Sequence, residues 1–381
     1  MGRRAKHEAR FHALERTPLM PVDVKPIGLA IVGSGRIGTL RARLAAAHPA
    51  VRFIAVSDQN DGAARKLAST VGAQVHSTSN DDIISHPDVN AVIVSTSEGE
   101  HVEPIVKAIE RGKRVLVEKP LALTVADADR VLRAIEKSGA DVRVGYSRRY
   151  KERYLIAKEQ ILQGRLGDPV GGAARVFNSR SQALAMLQRN PHATPIVDAL
   201  TYYVDLMNWL LGGKRLAEVY ARGQMGVLKQ AGHDVSDVSY AILTYDDGTV
   251  VNLGVSYALP EKYPALGHAA RVELLGTGGV MILDDDHTDQ IMYSEKGIPH
   301  VYLPNHDVNM VFLQSGTPGD WALGEFYGPI ASETRAWLDY LSMGRPCVLA
   351  TPHEARATLE ATLAIEHSVQ TGRPVTLPLA Q

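Results

Sequence analysis

A single cysteine, Cys347, occurs among 381 residues, which excludes a disulfide within the chain and fits a reducing compartment. No apolar run approaches the roughly 18 residues that a membrane-spanning helix needs. Neither sign of charge is in excess. The 41 Lys and Arg against 42 Asp and Glu leave a formal net charge of −1, so no global field favours nucleic acid or an anionic membrane surface. No basic stretch is interleaved with aromatics, which removes the other argument for nucleic acid. His192, His233, His268, His287, His300 and His306 are scattered, without the compact helical spacing of a zinc site, and no metal is expected. Residues 1–25 are basic and mixed, with no apolar stretch of secretory type. They are expected to form a flexible arm, and the chain to be cytoplasmic.

What is present is enough apolar material, 45% of the residues, for about two domains. Over residues 26–147, "IGLAIVG", "VRFIAVSD", "AVIVST", "RVLVEKP" and "DVRVGY" read as strands, and the segments between them carry apolar residues at helical spacing. Thr124 suits the cap of the last of these helices, with Asp127 three residues on. Strand–helix alternation predicts a doubly wound parallel sheet, an α/β class. Residues 148–381 change rhythm. Helical patterns cover "RYKERYLIAKEQILQG" and "TPIVDALTYYVDLMNWLLGG". Six strand patterns then follow, with "DDG" at 246–248 as a hairpin signal, and two helices close the chain at about 325–343 and 352–370. This predicts a mostly antiparallel sheet with helices, an α+β domain. Residues 284–324 read as an irregular loop.

"GSGRIG" places Gly33, Gly35 and Gly38 in G-x-G-x-x-G spacing after a strand and at the start of a helix. Gly33 allows the tight turn, Gly35 lets a pyrophosphate approach the backbone, and Gly38 lets helix and strand pack closely. Arg36 and Ile37 lie inside the same turn, and the helix start offers unpaired N–H groups. Asp58 ends the second strand 20 residues after Gly38, where a carboxylate binds ribose hydroxyls and repels a 2′-phosphate. NAD is therefore expected, while Arg36 and Arg41 leave NADP open. Lys119 in "VLVEKPLAL" ends a strand in the same layer as Gly33, Asp58 and Thr96. An ammonium there suits donation to a substrate oxygen, with a pKa lowered by desolvation and by the nearby nicotinamide charge; position alone is equally compatible with a solvated lysine at the start of a loop. The Lys119–Pro120 bond is a candidate for the cis form.

The glycine motif, the strand ending Glu118-Lys119-Pro120 and the antiparallel domain that follows resemble the Gfo/Idh/MocA oxidoreductase family. The likeness runs over residues 26–381 and includes the ending "EARATLEATLAIEHSVQTGRPVTL". It implies oxidation of a secondary alcohol of a sugar, sugar derivative or cyclitol with NAD or NADP. It also implies a homodimer or homotetramer formed through the open C-terminal sheet. By the match of "VSTSEGEH", Thr96, Glu98 and His101 line the nicotinamide ribose pocket. By that of "GYSRRY", Arg148 and Arg149 lie near the domain junction and bind substrate. The family's D-x-x-x-H-x-x-D segment is "DALTYYVD" here, so Tyr202 stands where histidine is usual. Branches with tyrosine there use it for proton transfer, and the resemblance gives that role to Tyr202, coupled to Lys119, with Asp198 holding a neighbouring hydroxyl. The i, i+4, i+7 spacing predicts Asp198, Tyr202 and Asp205 on one helix face. Glu118 is expected to orient Lys119 or touch the cofactor. Arg148, Arg149 and Arg180 favour an alternative carboxylated substrate, a cis-dihydrodiol carboxylate. A non-catalytic dinucleotide-binding regulator is the other alternative.

Overall fold

The computed structural model describes residues 23–263, 269–284, 291–299, 305–312, 320–322 and 324–379; the arm expected at 1–25 falls outside them apart from its last three residues. The five apolar runs form β1 (Ile27–Val32), β2 (Val51–Ser57), β4 (Ala91–Val94), β5 (Arg114–Glu118) and β6 (Val142–Gly145), and a short edge strand that no apolar run announces, β3 (Val75–Ser77), joins them. They pair in parallel in the order β3-β2-β1-β4-β5-β6. Between them run α1 (Arg36–Ala46), α2 (Asp61–Val71), α3 (Asn80–Ile84), α4 (Val102–Glu110) and α5 (Val125–Ser138). Both faces of this sheet are covered, which is why its strands read as unbroken apolar runs. Ala30, Val32, Val92, Val94 and Val117 pack with α4 and α5. Leu29, Ile31, Ile93 and Leu116 pack on the opposite face with α1 and α2. The Thr124 side chain caps α5 by accepting from Asp127 N, as its spacing predicts. β1 lies between β2 and β4, so the order reverses there and leaves a crevice beyond the carboxyl ends of the strands.

The second half holds α6 (Glu152–Leu162), β7 (Pro169–Ser179), α7 (Arg180–Arg189), α8 (Thr201–Leu210), β8 (Leu216–Gln224), α9 (Val227–Gln230), β9 (Val238–Tyr245), β10 (Val250–Leu259), β11 (Ala269–Gly276) and β12 (Gly279–Asp284). The sheet runs β12-β11-β7-β10-β9-β8-β17, closed by β17 (Val375–Thr376). Its pairings are antiparallel except that of β7 with β10. Asp246–Gly248 makes the expected β9–β10 hairpin, with Gly248 at φ 86°. One face packs on α8 and on α11 (Pro352–Thr371). The other carries the exposed side chains of Tyr240, Ile242, Val250, Leu275 and Val280. The expected loop at 284–324 is in part ordered sheet. β13 (Ile291–Pro299) pairs with β14 (Asp307–Phe312), and β15 (Asp320–Ala322) with β16 (Glu325–Tyr327); the rest of the segment lies largely outside the described residues.

A division at residue 147 does not follow the cores. Trp337, Leu338 and Leu341 of α10 (Pro329–Met343) pack with β1 and α1, and Ala355 and Leu359 of α11 pack with α5 and β6. The chain returns to the first core before it ends, because the α1 side of the parallel sheet needs another apolar helix to cover it.

Candidate active site

The glycine turn is built as the motif requires, for three separate reasons. Gly33 has φ 94°, and a Cβ there would stand 2.7 Å from the Ser95 carbonyl oxygen. A Cβ on Gly38 would stand 1.9 Å from the Gly33 carbonyl oxygen, so the close strand–helix approach excludes it. Gly35 is different: nothing lies within 4 Å of its Cβ position, and no side chain caps α1. The space that this glycine keeps open lies at a helix N-terminus, where backbone N–H groups attract phosphate. Asp58 is pinned beside it, accepting from Ser34 N at 2.8 Å and from Asn60 N at 2.9 Å. At the end of β4, the buried hydroxyls of Ser95 and Thr96 have no partner among the described residues. A cradle left open by glycine, a carboxylate at the tip of β2 and two orphaned hydroxyls in one layer fit a dinucleotide. The contrast between the glycines is testable. Gly35→Ala is expected to leave stability unchanged, since its φ of −68° suits alanine, while weakening NADH binding about tenfold or more. Gly38→Ala is expected to destabilise the fold by about 2–3 kcal/mol through overpacking. Thermal melting and NADH fluorescence titration separate the two effects; equal behaviour of the two variants contradicts the assignment.

Beyond the end of β5 the peptide bond Lys119–Pro120 is cis. Lys119 is not a solvated loop lysine. Its Nζ donates to the Asp198 carbonyl oxygen at 3.0 Å and lies 4.8 Å from the centre of the Tyr202 ring. Burial pulls its pKa down, but Tyr202 and the Asp198, Glu98 and Glu118 carboxylates outweigh burial and hold it above the ordinary lysine value. The lowered value expected is thus corrected: acidic neighbours surround this amine. For Tyr202, burial raises the phenol pKa, the Lys119 and Arg148 cations oppose the rise, and the net result lies above the usual value. Both groups therefore keep their protons at neutral pH. Tyr202 also packs against the cores of both halves of the chain, which places it at their junction.

Asp198 lies in a π-helical turn, Ile196–Leu200, that leads into α8. Such turns shift the register of side chains and recur at functional sites. The single face predicted for Asp198, Tyr202 and Asp205 is therefore broken. The Asp198 carboxylate turns to Tyr257, whose hydroxyl donates to Oδ2, whereas Asp205 is buried against Arg149. Tyr257 was not singled out in the sequence. It occupies an inward position of β10 with Val251, Leu253 and Val255, and the signal was a hydroxyl ending an otherwise apolar row.

Several expected contacts are corrected. Arg149 does not face substrate: Nε and Nη2 hold Asp205 at 2.8 and 2.6 Å, and Nη1 reaches the Val348 carbonyl oxygen and Glu354, each at 3.4 Å. Arg148 is buried and stacks over the rings of Tyr202 and Tyr203. Arg180 points to the carbonyls of Ala258 and Leu259. His101 is buried; Nδ1 lies 2.7 Å from the Pro120 carbonyl oxygen and Nε2 lies 3.4 Å from that of Thr96. Burial lowers its pKa, and a neutral ring has one N–H, which the shorter distance assigns to Nδ1 donating to Pro120. Glu118 pairs with Arg41, and Arg41 is wholly buried, so it is not available to a 2′-phosphate. Arg36 and Ile37 stay at the turn, Arg36 exposed, and Glu98 sits half-buried in a short 3-10 helix facing Lys119. Among the described residues no group of three or more His, Cys, Asp and Glu is arranged to hold a metal, and no helix is long and apolar enough to cross a membrane.

Residues 27–146 match the profile of an oxidoreductase family with an NAD-binding Rossmann fold, and residues 154–282 match the C-terminal domain of the same family. The chain belongs to the Gfo/Idh/MocA oxidoreductase family. Like other proteins of this family it combines the nucleotide-binding sheet with the open second sheet. It is 26% identical over 354 residues to scyllo-inositol 2-dehydrogenase (NAD(+)) of Bacillus subtilis strain 168, covering 91% of this chain and 95% of that one. It is 27% identical over 369 residues to inositol 2-dehydrogenase 1 of Saccharopolyspora erythraea, covering 95% and 98%. Among solved structures, GenD2 from gentamicin A biosynthesis in complex with NAD superimposes with a TM-score of 0.75 at 25% identity, covering 95% of this chain and 99% of that one.

Proposed function

We propose that this oxidoreductase uses NAD+ to oxidise a secondary alcohol of a cyclic polyol, a cyclitol or sugar, with proton transfer by Tyr202 and Lys119. The observation that carries the reading is the convergence of Lys119, Tyr202, Asp198 and Tyr257 beside the crevice that holds the glycine turn. The relatives named as inositol dehydrogenases support the polyol class.

Residues 33–38 and the start of α1 hold the pyrophosphate, and Asp58 the adenosine ribose. When bound, the nicotinamide supplies the hydride acceptor. Lys119 keeps one N–H on the Asp198 carbonyl and turns the others to the substrate oxygen. The Tyr202 hydroxyl exchanges the proton of that oxygen. Asp198, fixed through Oδ2 by Tyr257, offers Oδ1 to a neighbouring hydroxyl and so sets the pose. A carboxylated substrate loses its best anchors, because Arg149 and Arg180 are engaged elsewhere. NADP loses Arg41 and meets Asp58.

Because Tyr202 and Lys119 both hold their protons at neutral pH, alcohol oxidation needs one of them deprotonated, while reduction of the ketone finds the phenol ready to donate. Assays of inositols and sugars with NAD+ are expected to give kcat/KM for oxidation that is still climbing between pH 7 and 9. Reduction is expected to hold level or fall over the same range. Tight NADH binding without turnover of any polyol overturns the reading in favour of a regulator; oxidation that declines with rising pH overturns the proton assignment.

A further inference from the structure

On the opposite side of β5 from the α4 and α5 helices lies a buried charge cluster with no part in the reaction described above. We propose that Arg41 and Glu333 are positioning residues. They bind the Glu118 carboxylate on the α1 and α10 side of β5, so that Lys119 faces Asp198 and substrate instead of closing a pair with its own neighbour. The proposal rests on the reading of Lys119 as the group that addresses the substrate oxygen.

Alternation along β5 sends Val115 and Val117 to the α4 and α5 side and Leu116 to the α1 and α10 side. Glu118 continues the side of Leu116. There Arg41, reaching in from the cofactor-binding helix, donates from Nε to Glu118, from Nη2 to Glu333 Oε2 at 2.6 Å and from Nη1 to Thr334 Oγ1 at 2.8 Å. Gly145 at the end of β6 makes room for the group, since a Cβ there would stand 2.8 Å from Arg41 Nη2. Three segments distant in sequence, α1, β6 and α10, thus converge on the residue before Lys119.

The cluster has one cation for two carboxylates, and Glu333 Oε1 is buried with no partner among the described residues. Burial raises the Glu333 carboxyl pKa, Arg41 opposes the rise, Glu118 and Asp205 add to it, and the result is about 7. Tyr150 and Cys347 also face it. A folded value above the ordinary carboxylate range means that this group's contribution to stability is full at acid pH and is lost as pH rises through about 7. Below that pH Arg41 serves Glu118 alone. Above it a charged Glu333 competes with Glu118 for Arg41.

The test measures the rate at which Lys119 is acetylated in cofactor-free protein, by mass spectrometry across pH, beside NADH titration and polyol oxidation. Arg41→Met/Glu333→Gln is the main variant, because Arg41→Met alone would strand two buried carboxylates. Freed Glu118 is expected to pair with Lys119 and slow its labelling about tenfold, one pKa unit. kcat is expected to fall in parallel, with KM for NAD+ within about twofold. In Glu333→Gln, labelling is expected to be faster than wild type above pH 7 and equal below it. Lys119 labelling that is the same in every folded variant at all pH values overturns the proposal, and if the double variant does not fold, Glu333→Gln alone decides. Altered labelling in a protein that oxidises no polyol leaves the positioning role standing and removes the proposed reaction.

Discussion

Lys119→Met is expected to lower kcat for polyol oxidation by about 10³- to 10⁴-fold, the combined scale of lost proton transfer and lost oxyanion stabilisation. Methionine keeps the length of the side chain and removes the charge. The Tyr202 phenol, already held above its usual pKa by burial, loses the cation that most opposes that rise. The substrate oxygen loses its donor at the same time. Cofactor affinity should change little, because residues 33–38 and Asp58 are untouched; NADH titration is expected to give a Kd within about threefold of wild type, on the rule that an interaction made only in the transition state leaves ground-state binding alone. Stability should fall by only about 1 kcal/mol, the worth of the bond to the Asp198 carbonyl. A kcat within tenfold of wild type would remove Lys119 from the chemistry.

Arg149→Met is expected to have the largest effect on folding, about 3–5 kcal/mol, because it strands a carboxylate inside the protein. Asp205 is buried and takes both of its bonds from this guanidinium. The same side chain reaches Val348 and Glu354, so it ties α8 to the segment that returns to the first core. The sign of the pH dependence follows. Stranded Asp205 titrates upward, so the deficit is largest at and above neutral pH and shrinks as acid protonates it. Arg149→Met/Asp205→Leu should recover most of the loss, since replacing both partners removes the unpaired charge. Urea denaturation of the three proteins measures this; equal stability of wild type and Arg149→Met contradicts a buried, strongly held pair.

The parts that could be read in the sequence are those fixed by local geometry. Strands β1, β2, β4, β5 and β6 and the four longer helices beside them follow from periodicity, whereas β3 and α3, three and five residues long, are too short to show a period; the glycine turn follows from spacing plus a strand before and a helix after. The fates of the charged residues could not be read, because their partners are distant. Arg41 meets Glu118 and Glu333 across 77 and 292 residues, and Arg149 meets Asp205 across 56. Nothing local distinguishes an arginine waiting for a phosphate from one already engaged in the interior. The π turn at Ile196–Leu200 was hidden for a related reason: one extra residue in a helical turn leaves the apolar pattern nearly intact but redirects Asp198. Helix α7 passed unread, having a weak apolar face between a strand and an exposed turn. The closing helices showed their 3.6-residue period plainly, but period does not say against which of two cores a helix will pack.

The central claim is that Lys119 and Tyr202 act as one unit on the substrate oxygen. A double-mutant cycle of Lys119→Met and Tyr202→Phe, read in kcat for polyol oxidation with NADH affinity as control, measures it directly. The two losses are predicted to be non-additive, with the double variant no more than about tenfold slower than the worse single one, as found for groups that share one catalytic task. Losses that multiply fully in the double variant would show two independent contributions and contradict the account.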